Sequence, residues 1–112
     1  MKKVEAIVKP AKLSTVRETL AKAGFSSMTT YEVKGRGKQS AVGTTPDGIT
    51  LYAGLLPKEK IEIVTEDANV ETIIEIIIGA ARTGEIGDGK IFVSDVEEVI
   101  RVRTGEKGKE AI

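Results

Sequence analysis

The sequence predicts a single α+β domain built from one strand–helix–strand unit used twice. Two segments, 3–9 and 60–64, alternate apolar and polar residues, which is the period of a β-strand. Each is followed by apolar residues spaced three and four apart, the period of an amphipathic helix. The two halves also correspond when the chain is shifted by 57 positions. The length of 112 residues suits one such domain, over 1–112.

The first unit begins with a strand over 3–9, where Val4, Ala6 and Val8 share one side. After Pro10, apolar residues at helical spacing predict a helix that ends at Gly24. Residues 28–33 are rich in β-branched and aromatic side chains, which favour a second strand.

The second unit resumes with a strand over 60–64, followed by Asn69 as a plausible N-cap. A second helix is marked by Val70, Ile73, Ile74, Ile77 and Ala81. Residues 90–94 predict a fourth strand and 96–102 a short fifth element. The remainder, about 104–112, is a polar tail that suggests mobility or docking on a ligand.

The internal shift aligns strand with strand and helix with helix. Lys3-Val4-Glu5 falls on Lys60-Ile61-Glu62, and the helical positions Leu13, Val16 and Leu20 fall on Val70, Ile73 and Ile77. This correspondence predicts a ferredoxin-like β-α-β-β-α-β sandwich with both helices on one face of the sheet. The other face then needs cover, so we expect a homo-oligomer.

A long loop is predicted between the second and third strands, over about 37–55. Glycines and prolines recur from Gly35 to Pro57 at a density that excludes a core element over most of the span. Loops of about 20 residues in a compact domain are usually functional or disordered.

Composition excludes several classes of function. Seventeen basic residues balance seventeen acidic ones, so no global field favours nucleic acid or an anionic membrane, and aromatics at 4% offer no stacking platform for bases. The absence of histidine and cysteine excludes Ser-His-Asp and Cys-His catalysis, Cys/His zinc sites and disulfides. No apolar run is long enough to cross a bilayer, and the N-terminus does not resemble a signal peptide, so we expect a cytoplasmic protein.

The most specific local pattern is 84–90, which fits the first seven positions of the phosphate-binding P-loop. The fit then fails, because Ile91 stands where a Ser or Thr would hold magnesium and a strand follows where a helix should begin. A standard P-loop nucleotidase is therefore rejected. Glycine N–H groups, Lys90 and Arg82 still suit phosphate oxygens, although a glycine-rich turn with its lysine in solvent explains the pattern equally well.

Two further segments place cations beside glycines, at 35–39 and 101–105. Each alone is better explained as solvated charge. Together with the glycine pattern they predict convergence on an anion, a nucleotide or another polyphosphate; the cations are Lys38, Arg82, Lys90, Arg101 and Arg103. We find no nucleophile with an adjacent base, and Glu71 and Glu75, one helical turn apart, are best explained as solvated charges, so catalysis is not expected.

The sequence resembles the PII nitrogen-regulatory signal proteins over nearly its whole length. The resemblance rests on Arg82-Thr-Gly-Glu-Ile-Gly-Asp-Gly-Lys-Ile-Phe-Val93 and Arg101-Val-Arg-Thr-Gly105. The opening Met1-Lys-Lys-Val-Glu-Ala-Ile, the Gly-Arg-Gly-Lys-Gln at 35–39 and Leu56-Pro-Lys-Glu-Lys-Ile-Glu-Ile63 also match.

The resemblance implies a compact homotrimer that binds ATP or ADP competitively in clefts between subunits, and that is not an enzyme. It implies phosphate contacts from Gly87, Asp88, Gly89 and Lys90, and from Arg101 and Arg103 of the next subunit. Thr29 and Val64 would meet the adenine, Ile7, Met28 and Glu62 would line the pocket, and Gly35, Arg36, Gly37 and Lys38 would close over the nucleotide.

The second effector that the resemblance implies is 2-oxoglutarate, chelating a Mg²⁺ ion that ATP also binds. Gln39 would bind the metal and Lys58 would pair with the distal carboxylate. The backbone of 37–41, which includes Ser40 and Ala41, would complete the site with Gly87.

The long loop would be the output, since it would dock on a target of nitrogen metabolism. The targets in such a family are an ammonium transporter, hence a membrane-protein partner, glutamine synthetase, nitrogenase or related proteins. The loop sequence departs from the common pattern, with Asp47 in place of a channel-plugging arginine, Ile49 in place of a modified serine, and Leu51 beside Tyr52 in place of a modified tyrosine. Covalent modification and channel blocking are therefore not assigned.

Two alternatives stay open. One is a PII-like paralogue that binds adenine nucleotide with a different small metabolite, against which Gln39 and Lys58 argue. The other is a slow ATPase, against which the missing Ser/Thr after Lys90 and the absence of histidine argue.

Overall fold

The computed structural model describes residues 1–37, 41–52 and 54–112 of the chain. Within these described residues, two helices and six strands follow one another along the chain. The helices are α1 Leu13–Lys22 and α2 Val70–Ala81. The strands are β1 Lys2–Val8, β2 Thr29–Gly35, β3 Ala41–Thr44, β4 Thr50–Tyr52, β5 Leu56–Thr65 and β6 Gly89–Asp95.

The main sheet has four antiparallel strands in the order β2-β5-β1-β6. The central pair places Val4 opposite Ile63 and Ala6 opposite Ile61. The first and third strands of the β-α-β-β-α-β pattern are therefore neighbours in the middle of the sheet. The predicted α+β, ferredoxin-like fold is confirmed.

The core lies between the sheet and the two helices. It is formed by side chains of β1 and β5 against side chains of α1 and α2, and every member is at least nine-tenths buried: Val4, Ala6, Val8, Val16, Leu20, Ile61, Ile63, Ile73, Ile77 and Ala81. The alternation on the strands and the three-to-four spacing on the helices bring these residues to one layer. The helices cover one face of the sheet only, as the sequence predicts.

The two halves repeat each other closely. A single turn of 3₁₀-helix precedes each long helix, at Pro10–Lys12 and at Asp67–Asn69. The helices themselves begin at Leu13 and Val70. The second 3₁₀ turn and the second helix each begin 57 positions after the first, and 57 is the shift that aligns the sequence with itself.

The sequence signals at the end of α1 and at the start of α2 have different local structures. Gly24 has φ +92° and ends α1, where its N–H donates to Ala21 O at 3.0 Å and the next N–H, of Phe25, donates to Leu20 O at 2.9 Å. Asn69 does stand immediately before α2, but its side chain makes no capping hydrogen bond there. Asn69 therefore occupies the predicted N-cap position, but the 3₁₀ turn gives it a helical backbone and its side chain does not cap the helix.

The connection between β2 and β5 holds a hairpin that the sequence analysis did not predict. Strands β3 and β4 form a separate two-stranded sheet. Its turn is closed by Thr45, whose N–H donates to Ile49 O at 2.8 Å and whose hydroxyl accepts from Ile49 N–H at 3.1 Å. Gly48, with φ +86°, supplies the left-handed residue of the turn. Strand β5 also begins at Leu56, four residues before the predicted start.

The C-terminal segment differs from its prediction. Residues 96–102, all within the described part of the chain, form no strand, and the one bridge there joins Ile100 to Lys107. The tail turns at Gly105, with φ +72°, and ends in a 3₁₀ turn, Gly108–Ala111. The predicted short fifth element is therefore a loop, and the C-terminal tail folds back against this loop.

Across the three described ranges, no helix is both long enough and apolar enough to cross a membrane.

Candidate functional site

The glycine-rich pattern forms a turn between α2 and β6, at residues 83–88, and Asp88 organises it from within. Its carboxylate oxygen Oδ2 accepts hydrogen bonds from the N–H groups of Thr83 at 2.8 Å and Gly84 at 2.9 Å. Its other oxygen, Oδ1, accepts from the Thr83 hydroxyl at 2.5 Å. We call residues 83–90 the glycine turn.

A lysine from β1's end completes this arrangement. Lys9 Nζ lies 3.2 Å from Asp88 Oδ1, 3.2 Å from Thr83 Oγ1 and 3.7 Å from Glu85 Oε2. The Thr83 hydroxyl, the backbone N–H groups of Thr83 and Gly84, and Lys9 together hold the pKa of Asp88 well below its usual range. Asp88 is therefore ionised at neutral pH and its charge is neutralised locally.

All three glycines of the turn, Gly84 with φ +86° among them, adopt backbone conformations that other residues rarely adopt. Gly87 has φ +97° and Gly89 has φ +109°. A Cβ on Gly89 would lie 1.7 Å from the carbonyl oxygen of Ile7 on β1, so no side chain fits there. The backbone of the turn thus packs directly on the central sheet.

Lys58 of β5 joins the glycine turn to the start of the long connection. Its Nζ donates to Gly87 O at 2.6 Å. On the other side, a Cβ on Gly35 would lie 3.8 Å from Lys58 Cγ. Because β2 ends at Gly35, the Arg36-Gly37 segment leaves the sheet beside this lysine.

An open cleft of roughly 370 Å³ lies beside the glycine turn. It is bounded by the turn's polar residues Asp88, Gly89 and Lys90, by Arg82, and by an apolar wall formed by Ile7 and α2. Ile7 and Lys90 are directly paired on neighbouring strands. The structure therefore brings together Ile7, Gly35, Lys58 and 87–90, which we call the turn-end group.

A second set of predicted residues lies at the opposite end of the sheet. Thr29 on β2 pairs with Glu62 on β5, Met28 precedes Thr29, and Val64 follows two residues along β5 on the same side. The Glu62 carboxylate accepts a hydrogen bond from the Tyr31 hydroxyl at 2.6 Å. We call Met28, Thr29, Glu62 and Val64 the far-end group.

The C-terminal arginines lie near the far-end group. Lys109 of the tail is 3.6 Å from Glu66, just beyond the end of β5. Arg101 is held by this tail, with its guanidinium 3.1 Å from Glu106 Oε1 and 2.9 Å from the Glu110 carbonyl. Arg103 is exposed.

The two groups differ in their position along the sheet. Lys58 and Val64, their outermost members on β5, are six residues apart, about 20 Å along an extended strand. Glu62 lies between them, paired with Glu5, two residues along β1 from Ile7. The predicted site residues therefore do not surround one common point in a single subunit.

Three of the predicted residues, Lys38, Gln39 and Ser40, lie outside the described residues, and Ala41 is described only as the first residue of β3. The predicted metal-binding residue is among the three.

Sequence reasoning missed two participants, Lys9 and Thr83. Lys9 is 74 residues from Thr83 in the chain and carries no motif of its own. Thr83 could have been predicted from the sequence. It lies five residues before Asp88 in a glycine-rich segment, and a Thr and an Asp at this spacing can close a turn by a hydrogen bond.

Comparison with known proteins agrees with these features. Residues 1–106 match the family model described as nitrogen regulatory protein P-II. The whole chain is 54% identical to the nitrogen regulatory protein P-II of Azospirillum brasilense and 53% identical to that of Rhizobium meliloti, over 100% of both relatives. It is 50% identical to nitrogen regulatory protein P-II 2 of Methanothermobacter thermautotrophicus, over 97% of that protein.

Both the family match and the full-length relatives cover the glycine turn, the long connection and both halves of the repeat. Identity of this degree over complete chains, combined with the fold described above, assigns the chain to the nitrogen regulatory protein P-II family.

Proposed function

We propose that this protein is a cytoplasmic nitrogen regulator that senses ATP, ADP and 2-oxoglutarate and reports them through its long loop. It acts as a homotrimer and performs no catalytic turnover of its own. The loop over 37–55 docks on a target protein of nitrogen metabolism. The family assignment supports the regulatory role, and the turn-end group supports the ligands.

The single observation that carries the proposal is the contact between Lys58 Nζ and the Gly87 carbonyl at 2.6 Å. The resemblance assigns Lys58 to the oxoacid and Gly87 to the phosphates, and the two residues lie against each other. Ligands bound at these positions would be neighbours, so one ligand is able to change the affinity for the other.

The chemistry of the glycine turn fits a polyphosphate. Gly87, with φ +97° and no side chain, lets the backbone of the turn approach anionic oxygens closely, so that its N–H groups can serve as donors. Lys90 adds a positive charge at the mouth of the cleft. The apolar wall formed by Ile7 and α2 would exclude water from one side of the bound group.

Mg²⁺, when bound with ATP, would supply positive charge shared between phosphate and oxoacid oxygens. Of this chain's residues, Gln39 would hold it. Lys58 would orient the oxoacid through its distal carboxylate, and for this the ammonium group would leave the Gly87 carbonyl.

Signalling would follow as a shift between loop conformations. ATP with Mg²⁺ and 2-oxoglutarate would favour one conformation of 37–55 and ADP another, because each contacts the loop's first residues differently. The target would read the difference.

Calorimetric titration tests the proposal. Purified protein is titrated with ATP-Mg²⁺, with ADP, and with 2-oxoglutarate in the presence and absence of ATP-Mg²⁺. We expect both nucleotides to bind, and 2-oxoglutarate to bind only when ATP-Mg²⁺ is present. Nucleotide binding without any oxoglutarate binding would replace this proposal by a paralogue with another metabolite, and release of phosphate during the titration would indicate an ATPase.

Two variants separate the roles. Lys90→Ala should weaken ATP and ADP together, since it removes charge near the phosphates. Gln39→Ala should spare ADP and abolish 2-oxoglutarate binding. Equal losses of both effectors in the second variant would contradict the assigned roles.

A further inference from the structure

The carboxylate of Asp88 faces the interior of the glycine turn. Among the residues that the structure describes, its short hydrogen bonds go to Thr83 and Gly84, at 2.5 to 2.9 Å, and Lys9 Nζ lies 3.2 Å from Oδ1. A carboxylate beside a phosphate would repel it, so an inward, neutralised carboxylate is the arrangement that a phosphate site requires.

The donors at the start of the turn are already in use. The N–H groups of Thr83 and Gly84 donate to Asp88, and the N–H of Glu85 donates to Thr83 Oγ1 at 3.1 Å. A phosphate would therefore find no free donor in these three N–H groups. Its backbone contacts would come from the part of the turn that follows Glu85.

The Thr83 hydroxyl is the centre of the arrangement. It donates to Asp88 and accepts from Lys9 Nζ and from Glu85 N–H, which is the full capacity of one hydroxyl group. Lys9 continues from β1 and so ties the turn to the central strand of the sheet.

We propose that Asp88, Thr83 and Lys9 form a brace that holds the glycine turn in its phosphate-binding conformation, and that Asp88 is a positioning residue and does not itself bind phosphate. The inference rests on the proposed nucleotide site and adds its supporting residues. The brace acts before any ligand arrives, because its members bond to one another.

The first test compares Thr83→Val with Thr83→Ser. Valine keeps the shape and removes every hydroxyl bond, whereas serine keeps the hydroxyl. We expect Thr83→Val to lower the affinity for both ADP and ATP-Mg²⁺ by about ten-fold, and Thr83→Ser to restore most of it. Thr19→Val is the control, since it removes one hydroxyl bond to Thr15 O in the exposed part of α1. Unchanged affinity in Thr83→Val would overturn the proposal.

Asp88→Asn distinguishes positioning from direct contact by the sign of its effect. If the carboxylate faced the phosphates, removal of its charge would strengthen nucleotide binding. The brace predicts the reverse, because asparagine has a single acceptor oxygen and its NH2 group cannot accept the hydrogen bonds that the second carboxylate oxygen accepts. Tighter binding in Asp88→Asn would contradict the brace.

Hydrogen exchange separates failure of the brace from failure of the nucleotide site. In protein without any ligand, Thr83→Val should increase exchange at the amides of Gly84 and Glu85 at least several-fold, while amides of β1 and β5 stay protected. If the wild-type protein bound no nucleotide, the proposed function would fail and this measurement would still decide the brace. Wild-type exchange at both amides in Thr83→Val would reject it.

Discussion

The glycines of the glycine turn differ in what a side chain would cost at each position. Gly84 and Gly89 both have positive φ, at +86° and +109°. Around Gly84 there is open space for a Cβ, whereas at Gly89 the Ile7 carbonyl oxygen occupies it. Backbone strain and steric exclusion can therefore be measured separately at these two positions.

Gly89→Ala should destabilise the protein by clearly more than Gly84→Ala. A non-glycine residue at positive φ costs of order 1–3 kcal/mol, and both variants incur this cost. Only Gly89→Ala also places a Cβ against backbone that cannot move without breaking the β1–β6 pairing. Urea unfolding at one fixed protein concentration gives the two free energies of unfolding, and equal values would mean that the close approach to Ile7 is not a constraint.

At this scale the sequence identified the glycine turn but not every residue that shapes it. The three glycines and Lys90 of one short segment indicated a turn with close backbone approach, and the structure has this turn between α2 and β6. Lys9 was not predictable, since only the pairing of β1 with β6 brings it to Thr83. Contacts that depend on tertiary pairing leave no local pattern.

At the scale of elements, the internal repeat has an energetic consequence. Leu20 of α1 and Ile77 of α2 occupy equivalent positions, 57 residues apart, and both are almost completely buried against the same sheet. The helices therefore share one core and cannot unfold independently.

Leu20→Ala and Ile77→Ala should each lower the free energy of unfolding by about 2–5 kcal/mol, because each leaves a cavity in the core. Ile49→Ala, in the turn of the hairpin where the side chain is 59% exposed, should change it by less than about 0.5 kcal/mol. Circular dichroism in urea should give one transition with the same slope for all three. Two transitions in either core variant would contradict a shared core.

The open face of the sheet carries a charge ladder that makes stability depend on pH. Glu5 on β1 accepts hydrogen bonds from Lys3 at 2.8 Å and from Lys60 on β5 at 3.0 Å. These two lysines lower the pKa of Glu5, and Glu5 and Tyr31 raise the pKa of Lys60. Glu62, directly opposite Glu5, would repel it without Lys60 nearby.

Glu5→Gln should weaken the fall in stability on acidification. A group whose pKa is lowered by folding stabilises the protein above its unfolded pKa, about 4.3 for glutamate, and this contribution is lost as the pH falls through the folded pKa. Unfolding free energies between about pH 3 and pH 6 should therefore decrease less steeply in the variant. Glu71→Gln, on the exposed face of α2, is the control, and identical slopes for wild type and Glu5→Gln would contradict the role of the ladder.

Element prediction succeeded for the four strands of the main sheet and failed for the β3–β4 hairpin and for 96–102. Strands β1 and β5 alternate because Val4, Ala6, Ile61 and Ile63 face the core. The β3–β4 hairpin has no core to face, so its residues show breakers and no period. The segment 96–102 has β-branched residues, but Arg101 is bonded to the tail, and this favours a loop.

At the scale of the whole molecule, the glycine turn and the C-terminal arginines lie toward opposite ends of the sheet. With the tail in this position, a site that used both would draw them from two copies of the chain. The open face also exposes half of Phe92 and more than a third of Tyr31, which contact with a second copy would cover. Both features support the proposed trimer.

Mixing of subunits tests whether one nucleotide site is built from two chains. Lys90→Ala removes a residue of the turn-end group, and Arg103→Ala removes an exposed residue at the other end. Each variant alone should bind ADP weakly. The two variants are then refolded together in equal amounts. If each site lies between two subunits, some clefts will combine Lys90 from an Arg103→Ala chain with Arg103 from a Lys90→Ala chain, and these clefts are intact. Random assembly of trimers makes about a quarter of all clefts intact.

The control mixes Arg103→Ala with Arg101→Ala, two residues that the resemblance places on the same side of the cleft. No cleft in that mixture receives both arginines from one chain, so calorimetry should find no high-affinity ADP sites. Recovery in the first mixture and none in the second would establish that the glycine turn of one subunit and Arg103 of its neighbour bind the same nucleotide. Absence of recovery in both mixtures would require each site to be complete within one chain, and the tail would then have to carry Arg103 to the glycine turn of its own subunit.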